Sequence, residues 1–228
     1  MLRNLINNGF NSQALIQILY FIPIFLITIV VHECAHGYVA YRMGDPTARN
    51  LGRLTLNPLK HMDPIGFLMM MLLGFGWAKP VPINPRNFKN PKRGMAISAI
   101  AGPASNILMA IFGAIIAGFI NFLYYNLAKS PSSFVELAWV FFWQFMTLNV
   151  YFAVFNLIPV PPLDGSRVVS YFLPYKLSYY YNYVERYGFL VLIILLYTGI
   201  LSIPLTFLSG WIIRGITYIL HFVPFLMF

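Results

Sequence analysis

Apolar residues fall in long blocks separated by short polar segments, and the blocks have the length of helices that cross a bilayer. The first block, 14–40, begins at Leu15 and Ile16 and runs unbroken from Phe21 to Val31, with Pro23 as a candidate kink. A second covers 95–123 and a third, rich in Phe and Trp, covers 135–158. Blocks 188–208 and 211–227 close the chain, and Pro204 and Gly210 mark the expected turn between them. The pattern predicts an all-α polytopic membrane protein with about five transmembrane helices.

The block 64–77 is different. It is too short for a span, which needs about 20 residues, and it carries Gly66, Gly74 and Gly76. It reads as a re-entrant or interfacial segment. The proline-rich stretch after it, through Pro80, Pro82 and Pro85, leaves room for short β pieces. Charge supports this path. If 64–77 does not cross, loops 41–63, 78–94 and 159–187 share one side and hold 12 of the 15 basic residues. Only Arg3, Lys129 and Arg214 lie elsewhere, the bias expected of cytoplasmic loops. The Tyr-rich part of 159–187 suits the headgroup level, and residues 1–13 form a polar tail.

Composition agrees with the pattern. The chain is 59% hydrophobic and 9% charged, too few charges to cover a soluble surface. The net charge of +9 belongs to loops on one membrane side; no basic run is interleaved with base-stacking aromatics, and nucleic acid is not an expected partner. The single cysteine, Cys34, excludes an internal disulfide. No small-residue cleavage pattern follows the first block, so it is not expected to be a signal peptide.

The polar residues inside the blocks carry the chemistry. His32, Glu33 and His36 form a His-Glu-x-x-His motif at the end of the first block. Positions four apart share a helix face, so both imidazoles can hold one zinc, and the adjacent Glu33 can accept a proton from water. Three ionisable groups within one turn of an apolar span are costly without a function. Cys34 points to another face. A catalytic zinc usually takes three protein ligands, so a third is needed. The extended pattern with Gly and His downstream fails, because Val39 and Arg42 stand at those positions. Glu136 begins the third block at the wrong end. Asp45, Asp63, His61, His221 and Asp164 remain as candidates; Asp164 follows the prolines that end the third block, on the side of His36 in this topology.

At this point the chain resembles the site-2 protease family of intramembrane zinc metalloproteases. The resemblance is carried by His32–His36 and by Leu163-Asp164-Gly165, with Asn156 to Pro159 as an Asn-x-x-Pro lead-in. Gly102-Pro103 through Asn106, Asn57-Pro58 through Gly66, and Gly76 through Pro80 resemble further family features, in the family's order. The resemblance implies that Asp164 is the third ligand of one zinc per chain and that Glu33 is the general base. It implies that Asn156 contacts the substrate backbone or the oxyanion. Asn106, beside Gly102, Ala104 and Ser105, reads as helix packing. The chain looks like the compact prokaryotic branch without PDZ or CBS domains.

The expectation is then a single membrane-embedded metalloprotease domain over 1–228, with its core at 14–170 and C-terminal helices at 188–227. It would hydrolyse peptide bonds in or near transmembrane segments of membrane-protein substrates, in a prokaryotic cell membrane, with the active site toward the cytoplasm. A non-proteolytic zinc scaffold or sensor is the alternative, which the intact Glu33 argues against. An ion path would need polar residues continuing to the far side, whereas here they gather at one side.

Overall fold

A computed structural model describes residues 12–73, 76–127, 133–223 and 226. Eight helices longer than one turn are present among them: α1 (Ser12–Arg42), α2 (Pro64–Leu73), α3 (Pro91–Leu127), α4 (Ser133–Leu157), α5 (Asp164–Phe172), α6 (Tyr175–Val184), α7 (Gly188–Tyr197) and α8 (Ser202–His221). Four contain apolar stretches long enough to cross a membrane: Leu19–Arg42, Pro91–Tyr124, Phe134–Leu157 and Ser202–His221. With these, the chain is an integral membrane protein. Large apolar side chains such as Phe112, Phe207, Trp211 and Ile219 stand exposed on these helices, as a lipid-facing surface requires. Contacts divide the chain into two compact units, Met1–Gly94 and Met95–Phe228.

In the first unit, irregular chain is laid against the end of α1. A Cβ on Gly37 would stand 2.8 Å from Val81 Cγ1 and 2.9 Å from Leu54 Cδ2, so only glycine lets both segments approach the helix. The polar loop after α1 is organised by Asp45, which is fully buried. Its carboxylate accepts hydrogen bonds from the Thr47 N–H (3.1 Å) and hydroxyl, the Asn84 N–H (2.7 Å) and Asn87 Nδ2 (2.6 Å). Burial pushes the Asp45 carboxyl up, but these bonds to the charged form outweigh it and hold the group below its ordinary value.

The segment around α2 leaves and returns at one place. Met62 and Ala78 form an antiparallel bridge, and Lys79 N–H donates to His61 O at 2.8 Å. A Cβ on Gly66 would lie 2.1 Å from Trp77 O. The ten residues of α2 are thus bracketed by chain that meets again at 61–62 and 78–79. The anticipated β pieces reduce to this bridge; no named strand occurs among the described residues.

In the second unit, α3 and α4 pack through small residues. Ala110, Ala114 and Ala117 are fully buried, and a Cβ on Gly113 would meet Phe145 Cδ1 at 2.8 Å. Asn106 Nδ2 donates to Asn149 Oδ1 at 2.9 Å, and Asn149 Nδ2 donates to Phe145 O, so these two amides buried among helices are bonded. This is the packing role expected of Asn106. Met146, Val150, Val154 and Ile216 complete the core, with α8 packed on α4. At 37 residues α3 is about 55 Å long, well over a hydrocarbon core of about 30 Å.

Three of the expected spans are found with ends displaced by one to four residues. The block 188–208 is not one helix. α7 stops at Tyr197, Gly199 takes φ +72°, and α8 starts at Ser202. Gly199 is the left-handed residue that terminates helices. The turn expected at Pro204 and Gly210 does not form, because Pro204 falls in the first turn of α8, where no N–H is required. The remainder of the expected span 211–227 reaches residues 224–225 and 227, outside the described residues, as do 1–11 of the tail and 74–75 of the re-entrant block.

Candidate functional site

α1 places His32 and His36 one turn apart on one face, both buried within an apolar helix. Their Nε2 atoms converge to 2.9 Å, with the rings perpendicular and 4.5 Å between centroids. Two imidazole nitrogens sharing a tetrahedral ion at about 2.0–2.1 Å stand about 3.3 Å apart. A few tenths of an ångström separate the pair from that spacing. The donor set fits a shared zinc.

Glu33 lies on the adjoining face. Its Oε2 accepts the Val81 N–H at 2.8 Å, across 48 residues of sequence. Pro80 and Pro82 carry no N–H, so Val81 holds the sole amide proton of residues 80–82, and it is directed at this carboxylate. The sequence singles out Val81-Pro-Ile83 as part of an edge for substrate pairing but does not join Val81 to Glu33; the Pro-Val-Pro pattern was the available signal.

Three of the alternative ligands in the first unit have structural partners. Asp45 is the acceptor hub described above. Asp63 Oδ1 caps α2 by accepting the Gly66 N–H at 2.8 Å. His61 is buried, with Nε2 2.8 Å from Thr55 O, and the Cys34 thiol donates to the same carbonyl at 2.9 Å. Cys34 therefore packs against the loop. His221, in the second unit, is exposed at the last turn of α8.

Asp164 is the first residue of α5 and is half-buried. The turn that delivers it is dictated by its neighbours. Pro159, Pro161 and Pro162 stop α4 from continuing, and the 161–162 peptide is cis. A Cβ on Gly165 would sit 2.1 Å from Leu157 O and 2.7 Å from Ile158 O. Only glycine lets the start of α5 press on the end of α4. Tyr181 donates its hydroxyl to Pro159 O at 2.7 Å, and Arg167 pairs with Glu185, tying α6 and the following turn to the same corner. Asn156, near the end of α4, donates Nδ2 to Phe152 O at 2.9 Å. Asn156 and Asp164 thus lie at adjoining helix ends of the second unit.

Comparison with known proteins bears on these residues. Residues 123–197 match the model of peptidase family M50. Several relatives bear the name "Putative zinc metalloprotease". YwhC of Bacillus subtilis (strain 168) is 39% identical over 179 residues, 78% of this chain and 80% of YwhC. Rip2 of Mycolicibacterium smegmatis is 28% identical over 78% of this chain and 66% of its own length. The zinc metalloprotease MJ0392 of Methanocaldococcus jannaschii is 26% identical over 74% of this chain and 38% of its own length. No solved structure matches. The identity to YwhC extends over most of both proteins, and the chain belongs to peptidase family M50, the site-2 protease family of zinc metalloproteases.

Proposed function

We propose that this protein is an intramembrane zinc metalloprotease that hydrolyses peptide bonds in or near transmembrane segments of membrane-protein substrates. One observation carries the proposal: two buried histidine Nε2 atoms converge to 2.9 Å inside an apolar helix, with a carboxylate next in sequence. In this proposal His32, His36 and Asp164 hold one zinc per chain, within a single membrane-embedded domain over 1–228. Zinc, when bound, supplies Lewis acidity that polarises a carbonyl and acidifies water. Glu33 accepts the proton of the attacking water and returns it to the leaving amine. The Val81 N–H holds one oxygen of that carboxylate, which orients it for both transfers. Asn156 contacts the substrate backbone or the oxyanion as it develops.

A helical substrate keeps its carbonyls in its own hydrogen bonds, so it must unwind or pair as an extended strand. The returning segment through Val81 and Ile83 is the proposed edge for that pairing. Ile83→Pro removes an N–H from it and is expected to lower turnover with zinc still bound. In this proposal the site faces the cytoplasmic side of a prokaryotic cell membrane, a reading supported by the bias of basic residues to the loops 41–63, 78–94 and 159–187.

The test is zinc content of the purified protein beside its variants. Wild type is expected to bind near one zinc per chain, and His32→Ala and Asp164→Ala to lose it. Glu33→Gln is expected to keep zinc and to lose cleavage of a membrane-embedded peptide. A zinc-replete wild type without metal refutes the proposal; zinc retained by Asp164→Ala alone moves the third ligand elsewhere. A Glu33→Gln protein that still cleaves removes Glu33 as base.

A further inference from the structure

We propose that Asp45 and Arg53 are positioning residues for the peptidase reaction: from opposite ends they hold segment 79–84 so that the Val81 N–H keeps the Glu33 carboxylate in place. This rests on the role of Glu33 as base.

A carboxylate on a three-bond side chain has several rotamers, and proton transfer needs one of them. The Val81 N–H selects it, at 2.8 Å from Oε2. That selection is only as sharp as the position of Val81. The segment around it is irregular chain that joins no named strand among the described residues, and its own residues cannot fix it. Prolines 80 and 82 restrict φ but contribute no donors.

The ends of the segment are therefore decisive. At one end the Arg53 guanidinium donates to Lys79 O at 2.8 Å and Pro80 O at 3.2 Å, and Lys79 N–H donates to His61 O at 2.8 Å. At the other end Asp45 accepts the Asn84 N–H at 2.7 Å and Asn87 Nδ2 at 2.6 Å. Asp45 is itself fixed to the end of α1, because its N–H donates to Ala40 O at 2.9 Å. Between the two grips, the Val81 side chain packs over Gly37, one turn after Glu33 on the same helix. Both charged side chains thus act on Glu33 through the strap that Val81 belongs to. Two charged groups gripping backbone on either side of one N–H, itself aimed at the candidate base, are more than loop stabilisation requires.

The test uses full-length protein in lipid nanodiscs, with a peptide carrying one transmembrane segment as substrate. Arg53→Met and Asp45→Ala are expected to lower kcat about 10- to 100-fold, the cost of a misplaced catalytic group, and by a larger factor than any rise in KM from the same segment's proposed pairing with substrate. Zinc content is expected to stay at the wild-type level. Arg49→Met, which removes a basic side chain from the same loop, is expected to leave kcat unchanged. Glu33→Asp shortens the carboxylate so that it no longer meets Val81, and in that background Arg53→Met is expected to cause no further loss. Hydrogen exchange of the Val81 amide reads the strap without catalysis: slow in wild type, and fast in Arg53→Met and in Glu33→Ala. If Asp45→Ala does not fold, Arg53→Met alone decides. Losses that multiply fully in the Glu33→Asp background, or a KM rise at constant kcat, overturn the proposal. Full turnover by Glu33→Gln refutes the base and the proposal with it; Val81 exchange unchanged in Arg53→Met refutes the strap alone.

Discussion

Adding one carbon at Gly165 is expected to damage this protein far more than the same change at Gly210. An alanine Cβ at 165 would lie 2.1 Å from Leu157 O, 2.5 Å from Leu157 C and 2.7 Å from Ile158 O. All three are backbone atoms, which cannot rotate away. Restoring an ordinary carbon–oxygen separation of about 3.3 Å requires the start of α5 to retreat from α4 by about 1.2 Å. Overpacking of this kind costs about 1–3 kcal/mol. The functional loss is expected to be larger, because Asp164 is the adjacent residue and moves with the helix. A displacement near 1 Å at a reacting centre can cost about 100-fold in rate. At Gly210, inside α8, nothing lies within 4 Å of an added Cβ, and Gly210→Ala is expected to stabilise the helix by about 0.4–1 kcal/mol. The assay is thermal unfolding in one detergent, with zinc stoichiometry measured on the same samples. Gly165→Ala is expected to melt lower and hold less zinc; Gly210→Ala is expected to melt at or above wild type with full zinc. If the two variants melt alike and bind zinc alike, the close contact between α4 and α5 is not what delivers Asp164.

Further consequences can be measured. Asp45 has a folded pKa below the ordinary 3.8, so its contribution to stability is complete above that value and is lost as pH falls through the lower folded value. Wild type is therefore expected to lose thermal stability below about pH 4 more steeply than Asp45→Asn; parallel acid profiles would contradict this. Asn149→Leu removes the acceptor of Asn106 Nδ2 and is expected to cost about 1–2 kcal/mol, read by thermal unfolding, whereas a neutral result would mean the buried pair contributes no net stability. Gly66→Ala drives a Cβ to 2.1 Å from Trp77 O and is expected to open the return path after α2, read as faster proteolysis at 76–80; wild-type resistance would refute that close crossing.

Much of this protein is legible without a structure, because its main determinants are local. Long apolar blocks must become helices, since a bilayer offers backbone groups no other partners. The spacing of His32 and His36 places both on one face of whichever helix contains them. The stop at Gly199 was also written locally, as a glycine beyond a helix end, yet the uniform hydrophobicity of 188–208 concealed it and drew attention to Pro204 instead. What only the tertiary structure decided are the pairings between distant segments. Glu33 and Val81 stand 48 residues apart, and Asp45 and Asn84 stand 39 apart. Asp45 and His61 were ligand candidates by residue type; their hydrogen bonds assigned them to the loop instead. Periodicity fixes the face a side chain occupies on its own helix, whereas a hydrogen bond across a long loop depends on where the whole intervening chain is packed, which no local pattern specifies.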